Sequence, residues 1–511
     1  MGETIITMSK KVESEGKYEA DLEQALAVVG IGPYNLKICF VLSLFLVAAI
    51  IESIGYSYLL PSSKCDLNMT DFHRGLISSI PFFATVLTSF AWGYLVDTRG
   101  RKWILIYSSV AAGLLGLLAG FMPELVSFTV CKFLASLCLA CPSAVPYTFI
   151  GEVLPQRYRD ITLSVTNSMQ ILGSAFIPLL AWAILPLDFR VDFGYYEFRS
   201  WRLLCVAYAA LFLVAAVLIS FAPESPKYLV SQGKHDEALD VLKIMYARNK
   251  QRSPDDFPIN ALRMPVIGQN KLSFLTSLKA QTMPLVVPPY LKWIALNGFL
   301  LFGIFGVLNG LYMWVPDVLN RVLSTAGGED MTACDIIRLR ANNTMPKAVC
   351  DDTIDPLTYT VGSVATISCA LIALVVSTFV KLIGKKALLI VIFVIMSLFC
   401  IFINLTTKQM LFAVLLSALP ITGLCIGPVN AYSVEIFPTQ MRGMAVGLTM
   451  MIARLGSIVS TNVTGLMINS ACEEMFYTYG GMLMLLGALS LLLPRSQSRT
   501  QKSEESNSTH L

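Results

Sequence analysis

The chain has 511 residues, of which 55% are hydrophobic and only 14% are charged, and its formal net charge is +4. An ordinary soluble domain carries about 25% charged residues, so the composition excludes a soluble globular protein. The apolar residues collect in blocks of about 20, which is the length of a helix that spans a hydrocarbon core. The sequence therefore predicts an all-α membrane protein.

We predict twelve transmembrane helices, since lipid offers no partner for backbone N–H and C=O groups and a helix pairs them internally. The first six lie near 37–60, 75–96, 103–121, 126–151, 161–185 and 202–222. The last six lie near 291–315, 358–380, 387–405, 409–434, 443–469 and 475–494. The chain then divides into an N-terminal segment 1–36, a six-helix bundle 37–222, a linker 223–290, a second six-helix bundle 291–494 and a tail 495–511.

Lysine and arginine concentrate in the even-numbered loops and in the two terminal segments. The positive-inside rule therefore predicts that both termini and the linker are cytoplasmic. Within the linker, residues 235–250 carry apolar side chains at Ala238, Val241, Leu242 and Met245. This spacing predicts an amphipathic helix that lies on the membrane surface or against the bundle.

An internal repeat supports the division into two bundles. Glu152-Val-Leu-Pro155 is followed by Arg159, and Glu435-Ile-Phe-Pro438 is followed by Arg442 with the same offset. Both segments lie at the predicted cytoplasmic end of the fourth helix of their half. Repeated halves of six helices are typical of transporters in which two bundles rock around a site at the midplane of the membrane.

The loop between helices 2 and 3 carries the most specific motif, G-Y-L-V-D-T-R-G-R-K at 93–102. It resembles the G-x-L-x-D-x-x-G-R-[RK] signature of the major facilitator superfamily. Positive-inside anchoring alone explains the basic residues but not the acid or the glycines. A carboxylate at a helix C-terminus is unfavourable, so the repeated glutamates each require a cationic partner. We predict a cytoplasmic gate made of Asp97, Arg101, Glu152, Arg159, Glu435 and Arg442.

Further motifs narrow the resemblance. Pro223-Glu224-Ser225-Pro226-Lys227 after helix 6, Ser200-Trp201-Arg202 before it, and Met313-Trp314-Val315-Pro316-Asp317 after helix 7 are similar to the synaptic vesicle glycoprotein 2 family and its insect relatives. The resemblance implies the major facilitator fold, with two six-helix pseudo-repeat bundles and alternating access. Vertebrate members carry a large glycosylated domain between helices 7 and 8, where this chain has only 316–357. A synaptic role therefore does not follow.

Three charged residues fall inside predicted membrane helices, where charges are costly and usually functional. Arg454 lies near the middle of helix 11 and is our first candidate for substrate binding, the alternative being an ion pair with an unseen acid. Glu52, in helix 1, either contacts substrate or pairs with Lys132 in helix 4. We expect Lys132 to be structural, with its ammonium extended toward the membrane surface. Tyr56 is a further cavity candidate.

The outer loops predict covalent modifications. Cys334 and Cys350 lie in one outward loop, where a disulfide is permitted, and Cys65 is the competing partner. Asn68 and Asn342 begin N-x-[ST] sequences and are predicted glycosylation sites.

The sequence favours a transporter that moves a small organic solute, anionic if Arg454 faces the cavity, with co-transport of an ion or proton left open. It favours no enzyme, cofactor, metal site or nucleic-acid partner, since it contains no nucleophile elbow or P-loop. The alternatives are a non-transporting receptor or vesicle regulator that keeps the fold, and a sugar porter, which the missing glutamine-rich motif in helix 7 disfavours. We expect a multi-pass protein of the plasma membrane or of a vesicle membrane.

Overall fold

The structure is a computed structural model, which describes residues 18–263, 282–324, 331–342, 352–437 and 441–494. Its main elements within these ranges are twelve long helices. The first half contains α1 Pro33–Ser63, α2 Asp71–Arg99, α3 Arg101–Gly120, α4 Leu125–Val153, α5 Gln156–Ile184 and α6 Ser200–Ser220. The second half contains α7 Leu291–Leu323, α8 Pro356–Ile383, α9 Lys385–Leu405, α10, α11 Arg442–Met467 and α12 Cys472–Ser490. Helix α10 consists of three consecutive segments, Gln409–Ser417, Leu419–Cys425 and Ile426–Ile436.

Each of the twelve predicted spans corresponds to one of these helices. Among the described residues, eleven helices are long and apolar enough to cross a membrane. The twelfth, α12, carries Glu473 and Glu474 in its first turn, which lowers its average apolarity. It nevertheless packs along α9, where the Ser397 hydroxyl donates to the Gly480 carbonyl over 2.8 Å. The prediction of an all-helical membrane bundle is confirmed.

The two halves repeat the same backbone geometry. Gly100 joins α2 to α3 with a φ of 105°, and Gly384 joins α8 to α9 with a φ of 85°. Other residues rarely adopt this region, which explains a glycine at both tight turns. These turns lie on one face of the bundle, which we call the basic face because Arg101 and Lys385 follow them. The opposite face, which carries Cys334 and Cys472, we call the disulfide face.

A small subdomain covers the basic face of the first half. Strand β1 (Tyr18–Ala20) pairs in parallel with β4 (Ile259–Leu262), which joins the N-terminal segment to the linker. Between them pack the helices Leu22–Val29 and His235–Lys250. Ala238, Val241, Leu242 and Met245 are all buried, so the amphipathic helix predicted in the linker is confirmed and lies against the protein.

On the disulfide face, a short antiparallel hairpin joins α5 to α6. Its strands are β2 (Val191–Asp192) and β3 (Glu197–Phe198). A contact between aromatic rings holds it against the bundle, with the tilted rings of Phe198 and Phe121 5.4 Å apart between their centroids. Arg199, directly after β3, lies 3.9 Å from Asp352, which precedes α8 in the second half.

Candidate functional site

Several helices are interrupted part-way through the bundle, including α5 between Gly173 and Phe176, and four of the others occupy corresponding positions in the two halves. Helix α1 changes direction at Gly55, and α4 breaks between Leu137 and Ala140. Helix α7 passes through the π-helical and 3-10 turns Gly306–Leu311 and Tyr312–Trp314, and α10 through Leu419–Cys425. These are the first and fourth helices of each half. Interrupted helices in corresponding positions of two repeats mark the substrate site in many transporters.

The halves touch near the disulfide face and separate toward the basic face. Helices α2 and α11 each carry two glycines 18 residues apart, which is five full turns and about 27 Å along one helix face. A methyl group placed on Gly75 would lie 3.5 Å from Asn462 of the second half, and one on Gly465 would lie 3.3 Å from the Asp71 carbonyl oxygen of the first half. A methyl group placed on Gly93 or on Gly447 would have no described atom within 4 Å. Helices α2 and α11 therefore pack together near the disulfide face and not at Gly93 and Gly447, nearer the basic face.

Arg454 lies at the level where the halves part. It is 12 residues into α11, about midway along the helix. Thr461 and Gly447 are each seven residues from Arg454, and Gly465 is eleven residues from it. Both spacings are close to whole numbers of helical turns, so all four residues lie on one face of α11. On this face Thr461 and Gly465 are packed against neighbouring residues, whereas Gly447 is not. The side chain is half-buried and makes no ion pair with any described residue. An unpaired guanidinium at this depth is the main feature of the site.

A polar cluster joins α4 and α5 in the first half. Asn167 lies in α5, which contacts α8 of the second half through Pro178 near Gly362. The Tyr147 hydroxyl in α4 donates to Gln170 over 2.6 Å and lies 3.3 Å from the Asn167 oxygen. The lipid-facing side of α5 is apolar and exposed, with Ile161, Val165, Met169 and Leu172.

Glu52 and Lys132 form a buried pair inside the first half. Their side chains are 4% and 1% exposed, and Lys132 Nζ lies 2.5 Å from Glu52 Oε1. The expectation that the Lys132 ammonium extends to the membrane surface is wrong, because the carboxylate holds it inward. The alternative stated for Glu52, a pair with Lys132, is the one observed. Tyr56 packs 5.1 Å below the ammonium, and its buried hydroxyl has no described hydrogen-bond partner.

The motif between α2 and α3 forms a charge network on the basic face. Arg101 binds Glu152 through two nitrogens, each at 3.1 Å, so this glutamate has the cationic partner that was expected. Asp97 also contacts Arg101, at 3.1 Å, but is 72% exposed. Glu224 accepts from the N–H groups of Arg101 and Lys102 and so caps the positive N-terminus of α3.

The other predicted gate residues divide between the two halves. Arg159 pairs with Glu23 of the N-terminal subdomain at 2.9 Å. Glu435 pairs with Lys385 within the second half, so it too has a cationic partner, although the sequence did not identify which residue it is. The side chain of Arg442 lies outside those described. None of the described ion pairs on the basic face connects the two halves, in keeping with the separation there.

The disulfide prediction is wrong in its pairing. Cys334 is bonded to Cys472 at the start of α12, with their Cα atoms 5.6 Å apart. Sequence distance concealed the partner, since the fold brings together residues 138 positions apart. Cys350 lies outside the described residues, and Cys65 is disulfide-bonded as well. Asn68 is exposed on the disulfide face, while the side chain of Asn342 is outside those described.

A cluster of charges that the sequence did not single out joins the halves at the disulfide face. Asp71 and Arg74 begin α2, and Asp317 and Arg321 lie near the end of α7. These four residues are called the four-charge cluster below. The sequence does not indicate this cluster, because its two acid–base pairs are far apart in the chain and each pair by itself looks like an ordinary polar helix end. No group of side chains suited to a metal ion occurs in the described part of the chain.

Comparison with known proteins agrees with this architecture. A family model described as Major Facilitator Superfamily matches residues 41–328 and 353–511. Synaptic vesicle glycoprotein 2C of Mus musculus is 29% identical over 266 residues, and 2A of Homo sapiens is 29% identical over 245. These matches cover 50% and 47% of this chain but only 37% and 32% of the relatives. The partially occluded inward-open xylose transporter XylE from E. coli matches with a TM-score of 0.65 at 14% identity, covering 91% of this chain and 99% of that one.

Proposed function

The chain belongs to the Major Facilitator Superfamily, and from this premise we propose that it is a transporter that moves a small organic anion by alternating access. The observation that carries the proposal is Arg454, a cation without a described partner at the depth where the halves part. A charge in this position costs free energy unless a ligand or counter-ion occupies the site.

We propose that the basic face is cytoplasmic, so that both chain termini are cytoplasmic too. The Cys334–Cys472 bond supports this orientation, because disulfides persist in extracellular and lumenal compartments and are rare in the cytosol. The site is then accessible from the cytoplasm in the conformation described. The sequence and the fold are compatible with the plasma membrane and with vesicle membranes.

The ligand class follows from the two walls. A guanidinium offers a planar fork that binds a carboxylate or phosphate through two hydrogen bonds. We propose that Tyr147, Asn167 and Gln170, which contact one another in the first half, form the opposite wall and offer a hydroxyl and two amides. We therefore propose a small organic carboxylate or phosphate that also carries neutral hydrogen-bonding groups at its other end.

Coupling to a proton is assigned to the buried Glu52–Lys132 pair. The two charges stabilise each other while both are ionised, so proton uptake by Glu52 would release Lys132 and change packing around Tyr56. In proteoliposomes, an imposed pH gradient should drive uptake by the parent chain. In Glu52→Gln uptake should persist without responding to the gradient. Gradient-driven uptake by that variant would remove Glu52 from the coupling step.

Uptake of a panel of labelled metabolites into proteoliposomes tests the main proposal. Arg454→Gln removes the charge, and loss of a hydrogen bond to a charged group costs about 1.5–3 kcal/mol, or roughly 10- to 150-fold in affinity. Arg454→Lys keeps the charge but not the fork and should lose less. Saturable binding of a compound without uptake would indicate the receptor alternative. Equal affinity in all three proteins would contradict the role of Arg454.

A further inference from the structure

We propose that the four-charge cluster is the gate of the disulfide face, and that each half carries its own acid and its own base so that the gate can open without leaving an unpaired charge. The role of a gate rests on the alternating access proposed above. The arrangement of charges does not, since it is a property of the closed conformation described here.

The contacts across the boundary hold the two halves together. Arg74 of α2 binds Asp317 of α7 at 3.1 Å, and Arg321 of α7 lies 3.5 Å from Asp71 of α2. Asn469, just after α11, donates to Asp71 over 2.6 Å and accepts from Arg321 over 2.8 Å. The Arg74 guanidinium also lies 4.8 Å from the centre of the Trp314 ring.

The contacts within each half are as short as those across the boundary. Arg74 binds Asp71, three residues earlier on the same helix, at 2.9 Å. Arg321 binds Asp317, four residues earlier on α7, at 2.7 Å. Pairs with this spacing lie on one helix face and move with their helix. When the halves separate, each therefore keeps one complete ion pair.

This arrangement decides how costly opening is. The four side chains are only 4–16% exposed in the closed state. Separating a buried acid from a buried base that have no other partner leaves two uncompensated charges, which is strongly unfavourable. When the disulfide face opens, the contacts across the boundary between the halves are lost, but the ion pair within each half remains and becomes hydrated. The closed state is thus favoured by contacts that a conformational change can break reversibly.

Exchanging the acid and the base within one half is a direct test. In the variant Asp317→Arg with Arg321→Asp, the second half keeps an internal pair, but like charges now face each other across the boundary. Asp71→Arg with Arg74→Asp has the same effect from the first half. Combining all four substitutions restores opposite charges across the boundary. A milder variant, Asp71→Asn with Arg74→Gln, removes the contacts without introducing repulsion.

Electron–electron distance measurements between spin labels report the opening without any substrate. Labels at Glu124 and Glu474, which are both exposed at the disulfide face, span the two halves. The half-buried Cys138 and Cys369 are replaced beforehand, and spectra are recorded with and without reductant because Cys65 is disulfide-bonded. Arg338→Gln is the control, since it breaks the ion pair with Glu473 inside one half.

We expect both single-half exchanges to raise the ratio of long to short distances about tenfold or more, and the fourfold exchange to return it to within about threefold of the parent. The neutral variant should also shift toward long distances, and Arg338→Gln should not. Single-half exchanges that keep the parent distribution, or a fourfold exchange as open as they are, would overturn the proposal. If instead transport is absent while these shifts occur, the proposed function fails, but the four-charge cluster still controls the opening of the disulfide face.

Discussion

The buried pair of Glu52 and Lys132 allows a quantitative prediction. Both side chains are almost completely buried, and the ammonium has the carboxylate at 2.5 Å and the Tyr56 ring at 5.1 Å. In Glu52→Gln the lysine keeps its charge and stays buried but loses its counter-ion. Breaking one partner of a buried ion pair costs about 3–5 kcal/mol. Lys132→Met should cost a similar amount, because it leaves the carboxylate alone.

The double variant Glu52→Gln with Lys132→Met should be much less destabilised than either single variant. It removes both charges at similar volume, and such replacements are often close to neutral. The coupling free energy between the two sites should therefore be about 2 kcal/mol or more. Tryptophan fluorescence during heating in detergent reports it, since Trp201 belongs to the same core. A double variant that melts below both single variants would refute this account of the pair.

Two further predictions concern the disulfide and the N-terminal subdomain. Peptide mapping without reduction should recover Cys334 linked to Cys472, and a peptide linking Cys334 to Cys350 would contradict the structure. Leu26→Ala, at a side chain only 1% exposed, should destabilise the helix Leu22–Val29 by about 2–5 kcal/mol and speed its hydrogen exchange. Leu36→Ala, at a side chain 64% exposed, should leave that exchange unchanged.

The twelve helices and their division into two halves were predictable from the sequence. Apolar blocks of membrane length can form only helices in lipid, so composition alone decides the secondary structure there. The glutamate repeat and the glycine turns at Gly100 and Gly384 were readable because each depends on a few consecutive residues. The helix dipole, which is also a local effect, predicted that Glu152 and Glu435 each need a cationic partner, but it did not identify Arg101 and Lys385 as those partners.

The partners of distant residues were decided only by the tertiary structure. From the sequence, Glu52 could either contact substrate or pair with Lys132, and the Lys132 ammonium was wrongly expected to extend to the membrane surface. The disulfide of Cys334 was predicted with Cys350, which is nearer in sequence, instead of with Cys472. It did not indicate the four-charge cluster at all, because two ordinary helix ends become a single site only when α2 and α7 meet. A side chain's environment depends on which helices pack together, and neither hydropathy nor spacing along one helix contains that information.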